Sequence, residues 1–305
     1  MLDKIQHAIS HIAKVVIGKE QQIKLAFTCL LCRGHLLIED LPGMGKTSLS
    51  HALATSLGLD FSRVQFTSDL LPADILGVNI FDSTARKFVF HQGPVFSQLL
   101  LADEINRASP KTQSALLEAM EEKQVSIDGE THPLPTPFFV IATQNPMHQS
   151  GTYPLPESQL DRFFMRIQLG YPDWQSEKSM LQGMTNDSEV QLPTLLSTKE
   201  LIALQNSVMA VTTSNSIIEY VLRLVTLSRE SDNFPNPLSP RASKAILHAA
   251  KAWALLNGRE FVIPEDVQAV LPSVAEHRLR STHADLAGQN NLSSKLIEQI
   301  DTLAA

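Results

Sequence analysis

Eight consecutive residues, Asp40 to Thr47, carry the most definite chemistry in the chain. They fit the phosphate-binding pattern Gly-x-x-x-x-Gly-Lys-[Ser/Thr] at every position except the first, where Asp40 replaces glycine. Gly43 and Gly45 let the backbone turn N–H groups toward phosphate oxygens with no Cβ in the way. A helix beginning near Lys46 aims the positive end of its dipole at the same anion. Lys46 reaches the β- and γ-phosphates of a nucleotide, and the Thr47 hydroxyl takes a place on Mg2+. Pro42, Met44 and Ser48 complete the loop. Asp40 lacks the freedom of glycine, so the chain there must keep φ below zero. The alternative is a chance Gly-rich turn, and an apolar strand before the loop with a helix after it counts against that.

A second constellation is Asp103-Glu104 at the end of the apolar run Leu99–Ala102. So apolar a strand ends in two acids only at a polar site or at the surface. Beside a phosphate loop, the first acid holds Mg2+ and the second accepts a proton from the attacking water. Many strands end in acids, so the pair gains its meaning from the loop upstream. Cys29 and Cys32 form a Cys-x-x-Cys pair, but a closed zinc site needs four ligands and the chain has no other cysteine. With Leu25, Phe27, Leu30 and Leu31 around them they read as two core thiols. The ten histidines show no metal-ligand spacing.

The elements that position these residues follow from hydrophobic period. Ile5, Ile9, Ile12 and Val16 recur at helical spacing over residues 3–16, and a second helix fits 19–33. Residues 35–39 read as a buried strand feeding the loop, with Leu49, Ala52, Leu53 and Leu57 on one face of the helix after it. Residues 61–66, 98–103 and 138–143 read as further strands covered on both faces, as in a parallel sheet. Ser109 and Pro110 open a helix over 110–122. Residues 77–81 and 86–90 read as one hairpin, and 124–128 begins another that exits through a Pro-rich stretch. After residue 172 helical patterns dominate. The expected division is an α/β nucleotide-binding domain over 1–172 and an all-helical domain over 173–305.

The formal net charge is −7, and no run of Lys and Arg occurs, so the balance favours a protein partner over nucleic acid. No apolar run approaches the ~18 residues of a membrane span. Residues 1–7 lack the charged-then-apolar layout of a secretory signal, and the expectation is a cytoplasmic protein.

Together these features resemble the AAA+ superfamily and, within it, the MoxR family. The resemblance rests on His35–Thr47, Gln65–Gly77, Gly93–Phe96, Ala102–Ala108, Ile141–Pro146, Leu155–Phe163 and Ser239–Ala242, and so runs over nearly the whole chain. It implies an α/β fold of the P-loop AAA+ type, a parallel sheet sandwiched by helices and followed by an all-α lid. The first hairpin is similar to the insert in helix 2 of that clade, the second to the hairpin before sensor 1. The resemblance implies an ATPase that takes ATP and Mg2+ and works as a homo-oligomer, a hexameric ring. It also implies a chaperone or assembly role toward partners with a von Willebrand factor A domain.

The same resemblance assigns further roles. Asn145 is similar to sensor 1 and would orient the attacking water; a capping Asn before Pro146 is the other reading. Arg162 is similar to the arginine finger that reaches an adjacent subunit's ATP; a salt bridge to Asp161 or Glu157 is the alternative. Arg241 is similar to sensor 2. An arginine in the first turn of a helix opposes the helix dipole, and a γ-phosphate partner would account for it. Ile17 and Gly18 would sit by the adenine, or else mark a plain helix break. Rival functions within the clade are a nucleic-acid motor, a metal-chelatase subunit and a nucleotide-gated scaffold. Residues 124–133 hold Asp128 and Glu130 and no Lys or Arg, which counts against the motor.

Overall fold

The computed structural model describes residues 2–146, 151–182, 193–280 and 291–300. Helices α1 (Leu2–Val15) and α2 (Glu20–Leu31) precede strand β1 (Leu36–Glu39), and the phosphate loop leads into α3 (Lys46–Ser56). Strand β2 (Phe61–Gln65) follows, then α4 (Pro72–Leu76) and a hairpin of β3 (Gly77–Asp82) and β4 (Lys87–Gln92). Strand β5 (Leu99–Asp103), helix α5 (Pro110–Glu122), a second hairpin of β6 (Gln124–Ile127) and β7 (Glu130–Pro133), and strand β8 (Phe139–Gln144) come next. A short α6 (Glu157–Leu160) and β9 (Met165–Ile167) close the α/β part. The remainder is helical: α7 (Trp174–Leu181), α8 (Thr198–Ala210), α9 (Asn215–Glu230), α10 (Pro240–Leu256), α11 (Pro264–Leu279) and α12 (Leu292–Gln299). Parts of the expected helical domain, 183–192, 281–290 and 301–305, lie outside the described residues.

Five strands form one parallel sheet in the order β2-β5-β8-β1-β9. The central strands alternate between two cores, as the two-residue period of a strand requires. Leu36, Ile38, Leu99, Leu101, Ile141, Met165 and Ile167 face one side, packed with α1, α2, α3 and the C-terminal helices. Leu37, Leu100, Ala102, Val140 and Ala142 face the other, packed against Leu116, Leu117 and Met120 of α5. The first core is continuous from Ile5 to Leu296, so the lid helices share it with the sheet.

Two strands differ from the expectation. β2 has one neighbour only and is half-exposed along its length, not covered on both faces, because it forms the sheet edge and directs Arg63 and Gln65 outward. β9 is a fifth strand that hydrophobic period does not reveal. It has three residues, and its middle one is Arg166, which is buried and ion-paired to Glu39 on the neighbouring β1. Serine caps fix where the lid helices begin. The Oγ atoms of Ser197, Ser214 and Ser239 each accept a backbone N–H three residues on, and so set Arg241 in the first turn of α10.

Candidate functional site

The parallel register carries the expected groups to one edge of the sheet. β1 pairs with β8, with Glu39 opposite Gln144, and the Asp40 N–H donates to the Gln144 carbonyl at 3.1 Å. The phosphate loop therefore starts beside Asn145, which is half-buried just past the end of β8. β5 pairs with β8 on its other side, which brings Asp103 and Glu104 to the same C-terminal edge. In open α/β sheets ligands bind outside this edge.

The loop takes the form that anion binding needs. Gly43 and Gly45 have φ of 82° and 83°, values that residues with a Cβ rarely adopt. A Cβ placed on Gly43 would meet nothing within 4 Å, so the loop's concave side is open there. Among the described residues, the N–H groups of Gly43 and Gly45 donate to no protein acceptor. The loop flows into α3 at Lys46, whose Nζ donates to the carbonyls of Asp40 at 2.6 Å and Leu41 at 3.2 Å. Burial pushes the Lys46 ammonium down from its ordinary pKa, while Asp40, Asp103 and Glu104 push it up. A polyanion against Lys46 adds to the second influence and favours the charged form. Thr47 and Ser48 lie in the first turn of α3.

Asp40 is buried and turned away from the loop's interior. Its Oδ1 accepts the Leu41 N–H at 3.0 Å, and its Oδ2 accepts the N–H groups of Leu169 and Gly170, each at 2.7 Å. The carboxylate thus ties the root of the loop to the segment after β9 that leads to the lid. Asp40 keeps φ below zero, as expected without glycine.

The two acids are held by partners that sequence reasoning missed. The Thr143 hydroxyl donates to Asp103 Oδ1 at 2.6 Å and accepts the Glu104 N–H at 2.8 Å. Arg63 pairs with Asp103 Oδ2 at 2.7 Å, while Gln65 and Arg107 reach Glu104 Oε2 at 2.9 and 3.2 Å. Glu104 has φ 57° and ψ 49°, a left-handed conformation that turns its carboxylate off the strand line. Arg63 and Gln65 are two apart on β2 and share one face, the one signal that could have singled them out. For a divalent cation, Asp103 and Thr47 supply the oxygen donors that Mg2+ prefers.

Arg162 and Arg241 come together at a different place. Arg162 Nε lies 3.1 Å from Glu121 Oε2, and Arg241 NH2 donates to Glu121 Oε1 at 2.8 Å. Arg241 NH1 also stands 3.5 Å from Asp161 Oδ2, and Arg278 donates to Asp161 Oδ1 at 2.6 Å. The partner of Arg162 is therefore Glu121, not its chain neighbours Asp161 or Glu157. Glu121 lies in the last turn of α5, next to Met120, whose carbonyl contacts the buried His35 ring at 3.3 Å. His35 precedes β1, whereas the phosphate loop follows it. The two arginines thus lie near the N-terminal edge of the sheet, and the span of residues 35–40, about 16 Å at ~3.3 Å per strand residue, separates that edge from the one that carries the loop.

Gly18 is exposed with φ 69°, and a Cβ there would meet Ser176 Oγ at 2.6 Å and Asp173 Oδ2 at 3.0 Å at the start of α7. Ile17 is half-buried beside it, and neighbouring Val16 comes within 3.9 Å of a Cβ built on Gly45. The helix break at Ile17-Gly18 therefore borders the phosphate loop. Cys29 and Cys32 are unpaired thiols buried in the core, and burial pushes both well above the usual thiol pKa. Among the described residues no helix is long and apolar enough to cross a membrane.

Comparison with known proteins agrees with this geometry. Residues 35–165 match the family described as "ATPase family associated with various cellular activities (AAA)", and residues 228–300 match an AAA lid domain. Chaperone MoxR1 of Mycobacterium tuberculosis is 41% identical over 93% of this chain and 78% of its own length. YeaC of Bacillus subtilis is 46% identical over 89% of this chain and 85% of its own. Protein MoxR of Paracoccus denitrificans is 31% identical over 87% and 85%. A crystal structure from Cytophaga hutchinsonii superposes with a TM-score of 0.89 at 37% identity, covering 98% of this chain and 95% of that one.

Proposed function

We propose a shared-site ATPase cycle for this chain, which belongs to the MoxR family of AAA+ ATPases. Mg·ATP sits on Gly43–Ser48, with its triphosphate against the backbone N–H groups and Lys46 on the β- and γ-phosphates. Thr47 and Asp103 hold Mg2+, which neutralises phosphate charge when bound. Glu104 accepts the proton of the attacking water, and Asn145 orients that water. Ile17 and Gly18 border the adenine. Arg162 serves the ATP of an adjoining copy with Arg241 beside it, so the working form is a homo-oligomer, a ring of six.

The observation that carries this reading is the separation of the two groups. Lys46, Asp103, Glu104 and Asn145 share the C-terminal edge of the sheet, while Arg162 and Arg241 meet at the other. An arginine of that reach cannot serve its own loop across a strand's length. Residues 1–172 act as the nucleotide-binding unit and 173–305 as the lid.

The ring works on proteins, as a chaperone or assembly factor for partners with a von Willebrand factor A domain, in the cytoplasm. Support comes from the name of the Mycobacterium tuberculosis relative and from the β3–β4 hairpin, where Val78, Ile80, Phe81 and Phe88 are all exposed. Asp128, Gly129 and Glu130 at the β6–β7 turn offer no cation to nucleic acid.

Mixing subunits tests the shared site. Arg162→Ala and Lys46→Ala proteins should each be inactive, and an equimolar mixture should regain ATPase activity because intact loops meet intact arginines. A mixture as inactive as its components defeats the proposal.

A further inference from the structure

We infer that Glu121 is the positioning residue of the arginine pair: its one carboxylate aims Arg162 and braces it against the lid through Arg241. This rests on the shared-site reading above and adds the residue that makes the donated charge effective.

Arg162 meets Glu121 through Nε, 3.1 Å from Oε2. An ion pair at that end of the side chain confines the guanidinium to the neighbourhood of the carboxylate it shares with Arg241. Arg241 is held by both terminal nitrogens, NH2 on Glu121 and NH1 on Asp161. Its place is a brace between α10 of the lid and α5 of the α/β part. Asp161 is anchored in turn by Arg278, a side chain only 6% exposed that also donates to the carbonyls of Asp161 and Phe163 at 3.2 and 2.9 Å.

Charge supports the same reading. Arg162, Arg241 and Arg278 bring three positive charges against two carboxylates, Glu121 and Asp161. The cluster keeps an excess positive charge on a half-exposed surface, where the side chains of Arg162 and Arg241 are 31% and 54% exposed. Without Glu121 the two guanidiniums lose the carboxylate they share, Asp161 remains to Arg241 alone, and Arg162 is repelled with no partner to hold it. Arg162 would then lose its fixed place, and a donor worth a large rate factor only when aligned would lose most of that factor.

The test places Glu121→Gln on one side of the shared site at a time. The reference is the mixture of Lys46→Ala subunits, which donate the arginines, with Arg162→Ala subunits, which receive them. Glu121→Gln added to the donating Lys46→Ala subunit should lower the kcat of the rescued mixture about tenfold or more, with KM for ATP unchanged. The same change on the receiving Arg162→Ala subunit should leave the rescue at the reference level. A role in folding alone would act from either subunit, so equal losses from both placements, or no loss from either, overturn the inference. Melting curves of each variant confirm that the comparison is between folded proteins. A reference mixture with no rescue overturns the shared-site reading, and this inference with it.

Discussion

Asp40 stands where the phosphate-loop pattern has glycine, and replacing it should loosen the root of the loop from the path to the lid. Its carboxylate accepts three backbone N–H groups, those of Leu41, Leu169 and Gly170, while only 9% exposed. A hydrogen bond to a charged group contributes about 1.5–3 kcal/mol, and a buried donor left unpaired costs about 1–3 kcal/mol. In Asp40→Asn the single amide oxygen can face Leu169 and Gly170, which sets the –NH2 against the Leu41 N–H. One bond and the charge are lost, about 2–3 kcal/mol. In Asp40→Ala all three donors are stranded, about 3–5 kcal/mol with partial relief by water. Urea unfolding measures the two losses. Amide hydrogen exchange locates them: Leu41 should speed up in Asp40→Asn, and all three amides in Asp40→Ala. If Asp40→Ala unfolds within about 0.5 kcal/mol of the parent, the ordinary scatter of surface changes, with exchange at Leu169 and Gly170 unaltered, the tie does not exist.

Other consequences are as direct. Glu104→Gln should bind Mg·ATP with the affinity of the parent and turn it over about 10²–10⁴ times more slowly, as read by single-turnover hydrolysis; a weakened affinity with normal turnover would contradict the assigned role. His35 is buried between the Met120 carbonyl and the Val140 N–H, and burial pushes its pKa from 6.5 down to about 4. The unfolded chain therefore binds a proton that the folded chain refuses between those values. Stability is complete above pH 6.5 and falls as the pH drops toward 4, by about 3 kcal/mol from this group. Denaturant titrations from pH 7 to 4 should show that slope, flattened in His35→Gln; an equal slope in both would assign the effect elsewhere.

The phosphate loop, the paired acids and both hairpins were legible in the sequence because each is a local pattern. Their meaning lies within a dozen residues, in glycines that permit positive φ, in a strand that ends in acids, and in alternation around a turn. The partners that hold them were not legible. Thr143 comes beside Asp103 only through the register that sets Ala102 opposite Ala142, forty residues away in the chain. Two of the three partners of Asp40 are backbone groups 129 and 130 residues on, which no side-chain pattern announces. β9 was hidden because a charged residue sits in the middle of three, and the ion pair to the half-buried Glu39 beside it offsets the charge of Arg166 there. Arg162 and Arg241 drew notice by resemblance, but their convergence on Glu121 depends on how α6, α5 and α10 pack.

Nucleotide uptake by the loop is the claim on which the rest depends. Titration calorimetry of the purified chain with Mg·ATP, run beside Lys46→Ala, measures it without any assumption about turnover or assembly. The parent should take up one nucleotide per chain and Lys46→Ala should take up none in the same range. A parent that stays unsaturated at millimolar nucleotide, or a Lys46→Ala protein that binds as tightly as the parent, would contradict the account.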